Sequence, residues 1–185
     1  MTRHFLTPKN TFCYAFLAFI ALGCAKQPQA PYSNEASEKL IRVSFKSTDQ
    51  NTYTLQRWAG KTRVVNFWAT WCGPCKEEIP DLIRLNEQMR SQGVQVIGIG
   101  LDEESALEAF ANENGIDFPV LIGNKEIHEL SAKLGNRAYA IPFTLILTPS
   151  SNIASSHVGR LSFAKLQHLV QSAIAAENTK VVDKR

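Results

Sequence analysis

Two apolar runs constrain this chain more than any other feature of its sequence: RVVNFWA at residues 63–69 and VQVIGIGL at residues 94–101. Both are rich in β-branched residues and show little polar alternation, the pattern of central strands covered on both faces of a parallel sheet. Parallel neighbours cannot be joined by a tight turn. The segment 74–91 between them places Cys75, Ile79, Leu82, Ile83 and Met89 at helical spacing, so the three pieces read as a βαβ unit with a crossover helix.

Around that unit the pattern predicts smaller elements. IRVSFKS (41–47) alternates apolar and polar residues, and TYTLQRW (52–58) follows the turn-prone TDQN, which together predict a short N-terminal hairpin. Helices are expected over 103–114, closed by Gly115, over 125–134 and over 162–176. FTLILT (143–148) and IASSHVG (153–159), joined by PSSN, predict an antiparallel pair. This order suits an α/β chain with a thioredoxin-like fold, a central mixed β-sheet flanked by helices with an N-terminal β-hairpin. A chain of 185 residues, 44% hydrophobic and 20% charged, has the size and composition for one such domain and not those of a disordered chain.

WCGPC (71–75) falls where the first apolar run ends and the crossover helix begins. The free N–H groups and dipole of a first helical turn stabilise a thiolate, so Cys72 is expected to be the more acidic thiol. Cys75, three residues on, lies on the same helical face, near enough for a disulfide. Pro74 suits the first turn, where its missing N–H is one the helix does not use. Lys76 favours a nearby thiolate, whereas Glu77 and Glu78 oppose it. The pair fits thiol–disulfide exchange in which Cys72 attacks and Cys75 resolves the mixed disulfide. Three other readings stay open: half of a zinc site, a copper-binding pair, or two inert buried cysteines. Zinc would need two more ligands, and His128, His157 and His168 are singly placed. A single pair in the body is also too little for a disulfide-stapled scaffold.

Residues 1–10 carry Arg3, His4 and Lys9, while residues 11–25, TFCYAFLAFIALGCA, carry no charge. A basic segment before an apolar core of roughly 14 residues is the pattern of an export signal and is short for a membrane-spanning helix. The core ends in ALGC, which resembles the bacterial lipobox, with Ala21 where the box favours Leu. On that reading residues 1–23 are a signal peptide and Cys24 is the lipidated first residue that anchors the chain to a membrane. An uncleaved anchor and a plain cleavable signal are the alternatives, and all three place the domain outside the cytoplasm. Cys13, inside the apolar core, is most simply a small hydrophobe. KQPQAPYSNEASE (26–38) makes residues 24–39 a flexible tether, residues 40–177 the folded domain and residues 178–185 a frayed tail. A net charge of +3 without a dense Lys/Arg block speaks against nucleic acid as a partner.

FWATWCGPCKEEIP (67–80), with LQRWAGK (55–61) before it and AIPFTLIL (140–147) after it, resembles the TlpA/ResA-like branch of the thioredoxin superfamily over about residues 40–176. The resemblance implies a cis bond before Pro142, packed against the cysteines, and an Ile141 backbone that pairs with a substrate chain. Trp71, Gly73 and Pro74 complete the implied substrate-binding surface, with core packing the alternative for Trp71, while Trp58, Phe67 and Trp68 are expected in the core. The superfamily archetype carries a buried aspartate where this chain has Asn66, which cannot titrate. Members of the branch carry a glutamate matching Glu78, which implies Glu78 as general acid/base; a solvated charge near a helix N-terminus is the alternative. Phe143 stands where the branch often has Thr and either shapes the partner groove or packs, and His157 is expected at the surface. The implied function is that of a membrane-tethered thiol:disulfide oxidoreductase of the periplasm or an equivalent space, with the Cys72–Cys75 disulfide and no other cofactor or metal. It would reduce exported proteins, for example in cytochrome c maturation or copper-site assembly, with a membrane thiol reductase as electron donor. A disulfide oxidase or isomerase and a copper-binding chaperone are the alternatives.

Overall fold

The computed structural model describes residues 32–182. Helix α1 (Asn34–Arg42) leads into the hairpin of β1 (Phe45–Lys46) and β2 (Thr52–Tyr53), a 3₁₀ turn at Leu55–Trp58 and the central strand β3 (Thr62–Trp68). Helix α2 (Gly73–Met89), with a 3₁₀ turn at Arg90–Gln92, crosses to β4 (Val94–Gly100). There follow α3 (Glu104–Glu113), β5 (Val120–Ile122), α4 (Lys125–Ala132), β6 (Phe143–Leu147), β7 (Ile153–Val158) and α5 (Phe163–Val182). The five-stranded sheet has the order β5-β4-β3-β6-β7 and is separate from the hairpin. Its β5-β4-β3 half is parallel and its β3-β6-β7 half antiparallel. The expected mixed sheet, flanking helices and hairpin are all present.

Every residue of β3 and β4 is buried, as their unbroken apolar runs require. Alternation along β3 then assigns each residue to a layer. Val64 and Trp68 pack with Ile79, Leu82 and Leu85 of α2, Leu107 of α3 and Leu166 and Val170 of α5. Val65 and Phe67 face the other way, with Ala36 and Leu40 of α1 and Ile127 and Leu130 of α4. Arg63 is wholly buried on this second face. Its Nη atoms donate to the carbonyls of Leu55 and Thr148, both at 3.1 Å, and to Ser151 Oγ at 2.8 Å. Desolvation lowers its pKa, and these oxygens hold the cation in place of a carboxylate.

Four boundaries differ from the sequence reading, the first three because tertiary contact outweighs a local pattern. The tether over 24–39 gives way to helix α1, capped by Ser33, whose hydroxyl accepts from the Ala36 N–H at 3.3 Å. Only Ala36, Leu40 and Ile41 carry its buried side, so the segment reads as polar linker until the sheet supplies a surface for them. LQRW forms a 3₁₀ turn rather than the hairpin's second strand, with Leu55 and Trp58 buried. Strand β5, absent from the sequence reading, is three residues long and is specified by pairing with β4, Gly98 opposite Val120. Helix α5 continues to Val182, into the segment 178–185 expected to fray. The expected signal peptide, Cys24 and the expected tether up to residue 31 lie outside the described residues. No helix among the described residues is long and apolar enough to cross a membrane.

Candidate active site

Strand β3 delivers WCGPC to the carboxyl edge of the sheet, and α2 begins there. Cys72 is the N-cap of α2, with extended backbone (φ −84°, ψ 106°), and its Sγ accepts from the Cys75 N–H at 3.3 Å. The two sulfurs are joined, 2.02 Å apart. Cys72 is 5% exposed and Cys75 1%, so an incoming partner reaches Cys72 first. Gly73 and Pro74 are exposed between them, Pro74 in the first turn of the helix. One residue earlier, Trp71 stands 69% exposed. Thr70 anchors that loop by donating its hydroxyl and its N–H to Asp102, just past β4.

The chain returns to the disulfide at the start of β6. The Ile141–Pro142 bond is cis. The Ile141 carbonyl oxygen lies 3.7 Å from Cys72 Sγ, and Ile141 precedes β6, outside the sheet ladder. Pro142 is buried, and its carbonyl accepts from the Gly159 N–H at 2.8 Å.

Glu78 is completely buried, whereas Glu77 beside it keeps 69% of its side chain in solvent. The α-helical step separates them: Glu78 lies one turn on from Cys75 and faces the sheet. Glu78 Oε1 accepts from the Leu161 N–H at 3.1 Å and Oε2 from Asn66 Nδ2 at 3.3 Å. The Asn66 amide spends its other proton on Thr144 Oγ1 at 2.9 Å. Burial pushes the Glu78 pKa up to about 7; the Leu161 and Asn66 bonds and the Arg160 charge restrain the rise, and Asp81 adds to it. A buried carboxyl with its pKa raised to about 7 therefore lies one turn along α2 from Cys75. Among the described residues no group of three or more His, Cys, Asp or Glu side chains is placed to hold a metal ion.

A family model described as the AhpC/TSA family matches residues 36–156. The chain belongs to the AhpC/TSA family. Over 140 residues, 75% of this chain and 70% of the relative, it is 31% identical to the thiol-disulfide oxidoreductase ResA of Oceanobacillus iheyensis. Among solved structures it is similar to a thiol:disulfide interchange protein of the thioredoxin family from Chlorobium tepidum. That match has 27% identity and a TM-score of 0.62, and covers 71% of this chain and 92% of the other. A secreted thiol-disulfide isomerase from Corynebacterium glutamicum, 20% identical, shares the fold with a TM-score of 0.66, over 72% of this chain and 83% of that one. The TlpA/ResA-like relationship expected from the motifs is borne out, and with it the enzyme class, a thiol–disulfide oxidoreductase.

In this AhpC/TSA member the fold gathers Trp71, Cys72, Gly73, Pro74, Cys75, Glu78, Ile141 and Pro142 at one edge of the sheet, while Cys24 lies outside the described residues. Asn66 sits under Glu78, where the superfamily archetype carries aspartate. Phe143 points to the opposite face and packs against Phe67, ring centres 5.5 Å apart, so it packs and shapes no groove. Trp58, Phe67 and Trp68 are core residues as expected, and His157 is half-buried in β7 rather than fully at the surface.

Two exposed hydrophobic side chains escaped the sequence reading. Tyr139 is 50% exposed with a left-handed backbone (φ +51°), unusual for an aromatic residue. Buried Asn136 holds that loop, donating to the Ala140 carbonyl at 2.9 Å and accepting from its N–H at 3.0 Å, and His128 Nε2 donates to the Tyr139 carbonyl at 2.9 Å. Val158, 40% exposed, ends β7 beside Gly159. An aromatic residue just ahead of Ile-Pro was the only sequence signal for Tyr139; Val158 had none.

Proposed function

We propose that this thiol–disulfide oxidoreductase works outside the cytoplasm, held to a membrane by lipid on Cys24, and reduces disulfides of exported proteins. Electrons reach it from a membrane thiol reductase, and apocytochromes c or copper-site assembly proteins fit as substrates. The reading of a polypeptide substrate rests on one observation. Two of the large hydrophobic residues most exposed among the described residues, Trp71 and Tyr139, lie within three residues of Cys72 or of Pro142. An apolar rim around a reactive sulfur suits a protein chain.

The Cys72 thiolate attacks one sulfur of the substrate disulfide; a Cys72–substrate bond forms and the other substrate sulfur leaves as a thiolate. The first-turn N–H groups of α2, the Cys75 N–H among them, favour the anion on Cys72. Glu78 then accepts the Cys75 proton, and Cys75 attacks Cys72 Sγ, closing the disulfide and releasing the second substrate thiolate. Two electrons pass from the dithiol to the substrate, and the released thiolates take protons from Glu78 and from water. Ile141 and Pro142 hold the substrate backbone alongside, with Trp71, Gly73 and Pro74 on the other side of the disulfide.

The reduction potential of the Cys72/Cys75 pair tests the direction, by equilibrating the protein in glutathione or dithiothreitol buffers and counting free thiols by alkylation. A value near about −270 mV, the thioredoxin figure, supports a reductant; one near about −120 mV makes the protein an oxidase. Absence of a reversible titration, with metal retained after anaerobic purification, supports a copper-binding chaperone instead. Membrane fractionation of Cys24→Ala tests the anchor, which predicts release of the variant into the soluble fraction.

A further inference from the structure

The connection between β7 and α5 touches both halves of the site. Gly159, in a left-handed conformation (φ +98°), donates its N–H to the Pro142 carbonyl. Leu161, two residues on, donates its N–H to Glu78 Oε1. Between them Arg160 reaches across the first turns of α2. Its Nε lies 3.6 Å from Glu77 Oε2, and its Nη2 lies 3.6 Å from Asp81 Oδ2 and 3.5 Å from the Glu77 carbonyl oxygen.

Glu77, Glu78 and Asp81 put three carboxyls on little more than one helical turn. The groups around Glu78 are Asn66 from β3, Asp81 from its own helix, and Arg160 with the Leu161 N–H from the β7–α5 connection, with Glu77 turned to solvent. Arg160 is the only cation in this set. It is partly exposed, so its ion pairs add little to stability. Its position gives it a different use: one charge offsets two carboxylates beside a third that is buried, and the next residue, Leu161, carries the N–H that caps that third.

We propose that Arg160 is a positioning residue that sets the proton affinity of Glu78, by offsetting Asp81 and Glu77 and by fixing the Leu161 N–H on the carboxylate. Its consequence for catalysis rests on the reading of Glu78 as the proton-transfer group; the electrostatic coupling itself does not. By their charges, Arg160 favours the Glu78 carboxylate and Asp81 opposes it.

The test is a carbon-13 NMR titration of the Glu78 carboxyl in the oxidised protein, its resonance assigned by loss in Glu78→Gln. Arg160→Gln should move the midpoint up by about half a pH unit, Asp81→Asn should move it down by a similar amount, and Arg160→Lys should restore most of the original value. A purely structural role for Arg160 would not produce shifts of opposite sign from two partners of one ion pair. An unmoved midpoint in Arg160→Gln, or an upward shift in both variants, overturns the proposal. If the midpoints move as stated while Glu78→Gln leaves the exchange rate unchanged, the coupling stands and the catalytic reading of Glu78 fails instead.

Discussion

Asn66 on β3 donates one amide proton to Glu78 on α2 and the other to Thr144 on β6, so the buried carboxyl one turn on from Cys75 meets a neutral donor pinned between two acceptors. Restoring a second carboxyl with Asn66→Asp should force the pair to share a proton, because like charges in one buried site cannot both ionise readily. The pH midpoint of thiol–disulfide exchange should rise by about one unit and broaden. A pH profile of the exchange rate checks this, and an unchanged profile would count against a titrating group at that site.

Burial of Glu78 also leaves a signature in stability. Its pKa stands near about 7 in the folded protein against 4.5 for the free side chain. The folded state therefore holds the proton more tightly, so the contribution is fully present below about pH 4.5 and is lost as pH rises through about 7. By linkage the loss amounts to as much as about 3 kcal/mol. Urea unfolding of the oxidised protein at pH 5 and pH 8 should show this decline, and Glu78→Gln should flatten it. A decline of equal size in the variant would assign the effect to another group.

The unequal exposure of the two sulfurs predicts unequal trapping. Cys75→Ser should accumulate mixed disulfides between Cys72 and substrate proteins, since nothing remains to resolve them, and Cys72→Ser should accumulate none. Non-reducing gels of cells carrying each variant make the comparison. Equal trapping by both would reverse or abolish the assigned roles.

Trp71 and Tyr139 should matter for polypeptides and not for small disulfides. Truncating either to Ala removes about 1–1.5 kcal/mol of contact, or roughly a tenfold loss in kcat/KM towards a protein disulfide. The rate towards a small aromatic disulfide should stay within about twofold. Parallel losses on both substrates would point to damage at Cys72 rather than to a docking surface.

Much of this protein was legible locally. The runs at 63–69 and 94–101 specified buried strands because burial on both faces leaves no room for polar alternation, and the helical spacing between them specified the crossover. Placement of Cys72 at a strand-to-helix junction followed from the same pattern, and with it the chemistry of a capped thiolate. Short or sparsely apolar elements were not legible: β5 has three residues, and α1 has three buried side chains among polar ones. Elements of that kind acquire their identity from the neighbour they pair with.

The site divides along the same line. Sequence determined the Cys72–Cys75 pair through motif and spacing, and the family resemblance implied its cis-proline partner and, with the helical spacing, the candidacy of Glu78. Residue type alone does not separate Glu77 from Glu78; the helical spacing favoured Glu78, three residues after Cys75, and left Glu77 as a solvated charge, but neither burial nor proton affinity could be read from it. Tertiary structure made one a solvated charge and the other a buried carboxyl titrating near neutrality, through a β3 amide and through a backbone N–H from residue 161, 83 residues further along the chain. Proton affinity is set by everything packed around a group, and what packs there is decided only when the chain closes on itself.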